Sequence, residues 1–408
     1  MPKIRVLAIP SDQFGVGKFR ILDPFKYISD NYSDEIHVDI SLDVPNNDDF
    51  FRNYDIVYFH SFIHKLSHQH NVNRLKWLKE NGIKTIMDID DLWFVDQRHP
   101  LYYAIKAGNV AEKRVELLKS SDYVATTTPI FAETIKQRLN IKNIIIFPNA
   151  VNDEEPQFQP NKISSEKIRF GWLGGSSHLA DIELLESGIS TIHNQFKDKI
   201  QFVLCGFDTR GTVTEYNKET GEERQRPIQP LETVWFKYES IFTDKYRVLD
   251  MDYKTYLFNF VESPYNDLDK PYVRRWTRNI DTYASNYNYF DVSLAPLVES
   301  LFNESKSQLK VIEAGFHKKA LIASEVKPYT LDLISGISEG KFNGKGNSLL
   351  VSPKKNHKQW AQHMKKLIEN PNMIEDLGNR LYETVKDKYS LKNVSKDRIQ
   401  FFKSIINN

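Results

Sequence analysis

Cysteine is nearly missing from the 408-residue chain, with Cys205 the only one. That excludes an internal disulfide framework and a cysteine-built metal centre, and it points to the cytoplasm. Long apolar runs are missing too. No stretch approaches the ~20 residues of a membrane-spanning helix, so no integral membrane segment is expected, and any membrane contact would be peripheral. The opening MPKIRVLAIP is too short for a secretory leader and lacks a small-residue cleavage site, so it is expected as the first strand. A charge excess is also absent, with Lys plus Arg at 55 against 54 for Asp plus Glu. The balance argues against binding nucleic acid through bulk charge but leaves room for a local basic patch. The string Gly336-Ile337-Ser338-Glu339-Gly340 fits Gly-x-Ser-x-Gly, but the glycine-rich KFNGKGNS that follows has no helical pattern, so it makes no nucleophile elbow. There is no His-Glu-x-x-His helix, no Walker loop and no internal repeat. Hydrolase, zinc-protease, P-loop and solenoid readings therefore have no support.

What remains is a rhythm. Apolar runs at 4–10, 36–42, 55–60, 84–90, 122–128 and 143–149 alternate with helical patterns, as in a parallel doubly wound sheet. A polar, proline-bearing stretch, FPNAVNDEEPQFQP, marks a linker. The rhythm then resumes at 168–175, 200–207, 290–297 and 320–324. The expected architecture is two Rossmann-like α/β domains in tandem, 1–155 and 165–391, with a cleft between them. A polar, aromatic-rich insertion is expected at about 208–282. The terminal helix, 392–408, carries an apolar stripe through Val394, Ile399, Phe402 and Ile405, so it must dock on something.

Five segments carry candidate chemistry. In PSDQFGVGKFR, Gly15 and Gly17 precede a helix, where bare amides suit a phosphate or sugar; a tight turn would use the same residues. DIDDLWFVDQRHP places Asp88, Asp90, Asp91 and His99 at a strand's carboxyl edge. Those acids fit a site role without a metal, while a D-x-D metal pair and a helix cap stay open. FGWLGGSSHLADI reads as strand, turn and helix, with the amides of Gly174, Gly175 and Ser176 and the helix dipole forming an anion seat. His178 falls in the first helical turn. PYVRRWTRNIDTYA sets Arg274, Arg275 and Arg278 around Trp276, which suits phosphate or base recognition and equally a cationic helix surface. In FNESKSQLKVIEAGFHKKALIAS, Ser305 and Gln308 have capping-box spacing, so a helix is expected from near Lys306. Lys306, Lys310, Glu313 and His317 then share one face.

LAPLVESLFNESKSQLKVIEAGFHKKALIAS, with FGWLGGSSH and IIIFPNAV, resembles retaining glycosyltransferases of the GT-B fold, close to family four and to a branch common in gut bacteria and large tailed phages. The resemblance implies that the terminal helix crosses back to complete the first domain, and it implies a nucleoside-diphosphate sugar donor, UDP- or GDP-linked, with no cofactor or metal required. It places Glu313 on the ribose hydroxyls, and Lys306, Ser307 and Lys310 at the diphosphate. Asn303, Gly174, Gly175, Ser176, His178, Gly15 and Gly17 complete the donor side. His99 and Asp90 would approach the transferred sugar, with Asp88, Arg274 and Trp276 toward the acceptor. That acceptor would be a glycan, lipid-linked or protein-borne hydroxyl, or a hydroxymethylated base in phage DNA, placing the protein then in the host cytoplasm. A non-catalytic nucleotide-sugar binder is the third reading. The sequence departs from the family at Ser305, where an acid is usual, and at Ser176–His178, where an Arg and a Lys are usual.

Overall fold

A computed structural model describes residues 3–97, 99, 101–216, 223–258, 270–354 and 356–407. Two six-stranded parallel sheets dominate it. The first contains β1 (Ile4–Ile9), β2 (Ile36–Ile40), β3 (Ile56–His60), β4 (Lys84–Asp88), β5 (Tyr123–Thr126) and β6 (Ile144–Ile146), in the order β2-β1-β3-β4-β5-β6. The second contains β7 (Ile168–Leu173), β8 (Ile200–Phe207), β11 (Tyr272–Trp276), β12 (Val292–Ala295), β13 (Ala320–Ser324) and β16 (Leu349–Val351), in the order β11-β8-β7-β12-β13-β16. Two antiparallel pairs, β9 (Thr212–Tyr216) with β10 (Glu223–Pro227) and β14 (Ile337–Ser338) with β15 (Lys341–Phe342), stand apart. Helices cover both faces of a parallel sheet, so its strands read as unbroken apolar runs. Every residue of β3 and of β8 is buried accordingly.

Two elements differ from expectation. The 208–282 stretch holds the β9–β10 pair and two helices, but it also supplies β11, an edge strand of the second sheet. Its basic run Arg274–Arg275 is therefore strand, not helix. Residues 217–222 and 259–269 of that stretch lie outside the described residues. β16 had no clear signal, being three residues in a Leu-Leu-Val run too short to show a period.

The terminal helix Leu391–Ile406 does dock, and on the first sheet rather than the second. Ser390 caps it by accepting a hydrogen bond from the Asn393 amide. Phe402 stacks on Phe25 at 6.0 Å and meets Tyr58 edge-on at 6.2 Å. Arg398, fully buried, lies 4.8 Å over Phe147. The chain thus crosses from the second sheet back to the first, so the terminal helix joins the two halves that flank the cleft.

Candidate active site

Both sheets turn their carboxyl edges toward one cleft of about 640 Å³, the usual ligand position in doubly wound sheets. Gly15, Asp90, Gly174, Gly175, His178, Lys306, Ser307, Lys310 and Glu313 all line it. His99, Ser176 and Asn303 line an adjoining cavity of about 390 Å³, which shares Lys306 with the first.

The helix behind Glu313 is shorter than its sequence implies. It runs Leu309–Phe316 with Gln308 at its start, and no side-chain cap forms there. Ser305 closes a preceding short helix, Leu301–Glu304, and its hydroxyl donates to the Leu301 carbonyl at 2.9 Å. The capping box is therefore absent, because Ser305 is used backward. Lys306 and Ser307 sit in the connecting turn, where their heads reach the cleft. The Lys306 ammonium lies 4.7 Å over the Phe302 ring, and Phe302 meets His99 edge-on at 4.9 Å.

Glu313 and His317 do not form a solvated face, since both are buried. Both carboxylate oxygens of Glu313 already accept hydrogen bonds, one from the Tyr283 hydroxyl and the other from Tyr287 at 3.0 Å. Burial pushes its carboxyl above the usual range, while Tyr283, Lys310 and Tyr287 oppose that shift. Lys310 lies 5.0 Å over the Trp172 ring and donates to the Leu173 carbonyl. Burial pulls its ammonium down to about 8 against the attraction of Glu313, with Lys306 adding to the fall. Gly174 makes this approach possible, because a Cβ there would stand 2.4 Å from the Trp172 ring and 2.9 Å from Lys310 Nζ.

The turn after β7 differs from expectation in its helix. Leu179–Glu183 is only five residues long, and Glu186–Phe196 starts separately, so no strong dipole backs the Gly174–Ser176 amides. His178 Nδ1 is held by Asp181 at 2.7 Å. Burial, with Lys310 and Lys306 nearby, lowers that imidazole to about 4 despite Asp181, so His178 is neutral at pH 7 in the open cleft.

On the opposite wall, Asp90 accepts from His60 Nε2 at 3.0 Å, and Ser11 backs His60 Nδ1 at 2.8 Å. Burial alone would raise the Asp90 carboxyl, but His60 and Arg20 hold it below the usual range. Asp91 also lines the cleft. Burial beside the charged Asp90 lifts it well above a normal carboxyl, against Lys306 and His60. Neighbouring carboxyls pushed apart in this way divide acid and base character between them.

Four expected site residues take no place in the cleft. Asp88 is fully buried in a bidentate pair with Arg20 at 2.8 and 2.9 Å, and the Tyr58 hydroxyl also donates to it. Gly17 gives its amide to Asp12 Oδ1 at 3.1 Å, and a Cβ there would overlap the Asp12 carbonyl at 1.9 Å; it is a packing glycine. Arg274 is buried and forked onto Glu239 at 2.8 and 2.6 Å. Trp276 packs edge-on against Phe207 at 5.4 Å. Arg274 is thus consumed inside the second half, while Trp276, partly exposed, packs against the edge of that half's core outside the cleft.

Sequence reasoning missed Tyr283, Tyr287, Asn149 and Asn286 as cleft residues or their supports, whereas the DIDD run had already put Asp91 among the acids at the strand's edge. Asn149 donates to Ser307 Oγ at 2.8 Å across 158 positions, and no local pattern announces such a pair.

No family model and no curated protein matches the chain. Solved structures do. Anabaena Alr3699/HepE, crystallised in complex with UDP-glucose, superposes with a TM-score of 0.59 at 11% identity, covering 98% of this chain and 100% of that one. An S. aureus TarM mutant in complex with fondaparinux, alpha-GlcNAc-glycerol and UDP gives 0.50 at 13%, covering 85% of this chain and 55% of the other. A UDP-forming trehalose-phosphate synthase from Burkholderia xenovorans gives 0.50 at 11%, covering 86% and 74%. At these identities the likeness is one of architecture. The chain has the GT-B fold: two tandem Rossmann-like halves with a cleft between their carboxyl edges.

Proposed function

We propose that the chain is a retaining glycosyltransferase that moves a sugar from a UDP-linked donor to an acceptor hydroxyl. One observation carries this reading. A single cleft brings together a buried carboxylate and two lysines, Glu313, Lys306 and Lys310, with Lys310 close enough to feel both of the others, a set that suits ribose hydroxyls beside a diphosphate. A carboxylate accepts from two vicinal hydroxyls at once, and lysines neutralise phosphate as compact point charges. The structures above that were crystallised with UDP or UDP-glucose share the fold and support the choice of base.

In this reaction the bond from the anomeric carbon to the diphosphate oxygen breaks as the acceptor hydroxyl attacks from the same face. Negative charge grows on the leaving diphosphate. Lys306, Lys310 and the Gly174–Gly175 amides stabilise it more in the transition state than in the ground state, which is what accelerates the step. Lys306 and Lys310 take the part that a divalent cation plays elsewhere, so no metal is invoked. The leaving phosphate receives the acceptor proton. The acceptor enters from the wall that carries Asp90 and His99, as a glycan, lipid-linked or protein-borne hydroxyl.

A thermal-shift series with UDP, GDP and their sugars tests the reading. UDP at a hundredfold excess over its Kd should stabilise the protein by about 2.7 kcal/mol. No shift with any nucleoside diphosphate would make the chain a scaffold, and binding without donor turnover would make it a binder only.

The Lys310 position gives a pH test. In the open cleft its ammonium loses charge as pH rises through about 8, so UDP affinity should fall between pH 7 and 9. Lys310→Met should bind weakly with a flat profile. Wild-type affinity constant over that range, measured by calorimetry, would assign the charge to Lys306 alone.

A further inference from the structure

Asn286 is the cleft residue left without a task by the ribose and phosphate assignments. It sits on the 3-10 helix Tyr283–Tyr289, is 0% exposed, and borders the main cavity. Neither its side-chain nitrogen nor its oxygen has a hydrogen-bond partner. Other buried polar atoms share that lack, Trp172 Nε1 among them, but among the described residues Asn286 is the one that also borders this cleft. Buried amides in folded proteins are nearly always paired, and one left without a partner at a cavity wall suits a ligand with a donor and an acceptor side by side.

The order of groups along the cleft says which part of a ligand arrives there. Lys306 is shared with the 390 Å³ cavity, which marks the phosphate and sugar end. Thr277, Arg278 and Ile280 are shared with a further cavity of about 680 Å³, which marks the opposite end. Glu313, held by Tyr283, lines the main cleft and neither of the two adjoining cavities. Residues three apart eclipse in a 3-10 helix with a rise of roughly 2.0 Å per residue, so Asn286 stands one turn, about 6 Å, from Tyr283. A ribose on Glu313 with its phosphates toward Lys306 leaves its base toward Asn286. Arg278 donates to the Tyr289 hydroxyl at 3.1 Å and lies 5.5 Å over that ring, so its guanidinium is held at the rim. The neutral edge of a base meets a neutral amide instead.

We propose that Asn286 reads the nucleobase, its side-chain amide pairing with the imide edge of uracil. Uracil N3–H donates to Oδ1, and Nδ2–H donates to the adjacent uracil oxygen. The assignment rests on the UDP-sugar reading of the cleft.

The test compares UDP, GDP and inorganic pyrophosphate by calorimetry on wild type, Asn286→Ala and the near-isosteric Asn286→Asp, each first checked by melting temperature. Asn286→Ala should weaken UDP about 5- to 150-fold, the range of a bidentate base contact, and leave pyrophosphate unchanged. A carboxylate only accepts, so Asn286→Asp should oppose the uracil oxygen but suit the two adjacent donors of guanine, raising the GDP-to-UDP preference. UDP affinity equal to wild type in both variants overturns the assignment and leaves the donor reading intact. Equal losses for UDP and pyrophosphate also overturn it, because the effect is then on the cleft as a whole. Wild-type protein that binds no nucleoside diphosphate overturns both. If the Ala variant does not fold, the Asp variant decides through the same GDP-to-UDP comparison.

Discussion

Glu313→Gln should lower affinity for UDP and UDP-sugars by about 10- to 100-fold with little change in melting temperature. The expected size follows from hydrogen bonds to a charged acceptor, worth about 1.5–3 kcal/mol. Tyr283 and Tyr287 already donate to the two carboxylate oxygens. A carboxylate has about four lone-pair sites, so two stay open for ribose. The tyrosines position the group, and its remaining acceptor capacity faces the cleft. Glutamine keeps the volume and one acceptor, while its amide replaces an acceptor with a donor that ribose hydroxyls and tyrosine hydroxyls must both accommodate. Stability should hold because the substitution also removes a charge whose burial is costly, as the raised carboxyl shows. Calorimetric titration beside a melting curve separates the outcomes. Wild-type affinity would remove Glu313 from the ribose site, and a large melting loss with unchanged affinity would make it a structural carboxylate.

Asp88→Ala should have the largest effect on folding, a loss of about 3–5 kcal/mol, because it leaves Arg20 buried without its counter-charge. Arg20 is 1% exposed, so water cannot make up the difference without opening the core. The damage should also reach the cleft. Arg20 donates to Asn149 Oδ1 at 3.0 Å, and Asn149 donates to Ser307 Oγ beside Lys306. A buried polar chain thus runs from the first sheet to the cleft wall that carries Ser307. Replacing both partners, Arg20→Met with Asp88→Leu, should recover part of the stability, since an apolar pair carries no uncompensated charge. Denaturant midpoints of the single and double variants measure this. A single variant as stable as wild type would show that the Arg20–Asp88 pair contributes nothing to the stability of the first half.

The two halves were legible because parallel sheets covered on both faces leave unbroken apolar strands, and such runs survive in a linear reading. The charged wall of the cleft was legible for a related reason. Lys306, Lys310 and Glu313 lie within eight positions, and local spacing placed them near one another even though the cap assigned to Ser305 does not form. Strand β11 was missed because basic residues at 274 and 275 hide a strand whose neighbours supply the counter-charges. Arg274 reads as surface until Glu239, 35 positions earlier, is seen beside it.

The sequence by itself determined the two-sheet layout, the docking stripe of the last helix and the run of charged residues, Lys306, Lys310 and Glu313, that lines the cleft. These depend on periodicity and on neighbours a few positions apart. Tertiary structure alone decided which charges are consumed inside and which face the cleft. Asp88 meets Arg20 across 68 positions, and Glu313 meets Tyr283 and Tyr287 across 30 and 26. Burial then sets how each group titrates, lowering Lys310 and raising Glu313. Pairing and desolvation of this kind arise from packing between distant segments, which leave no periodic trace along the chain.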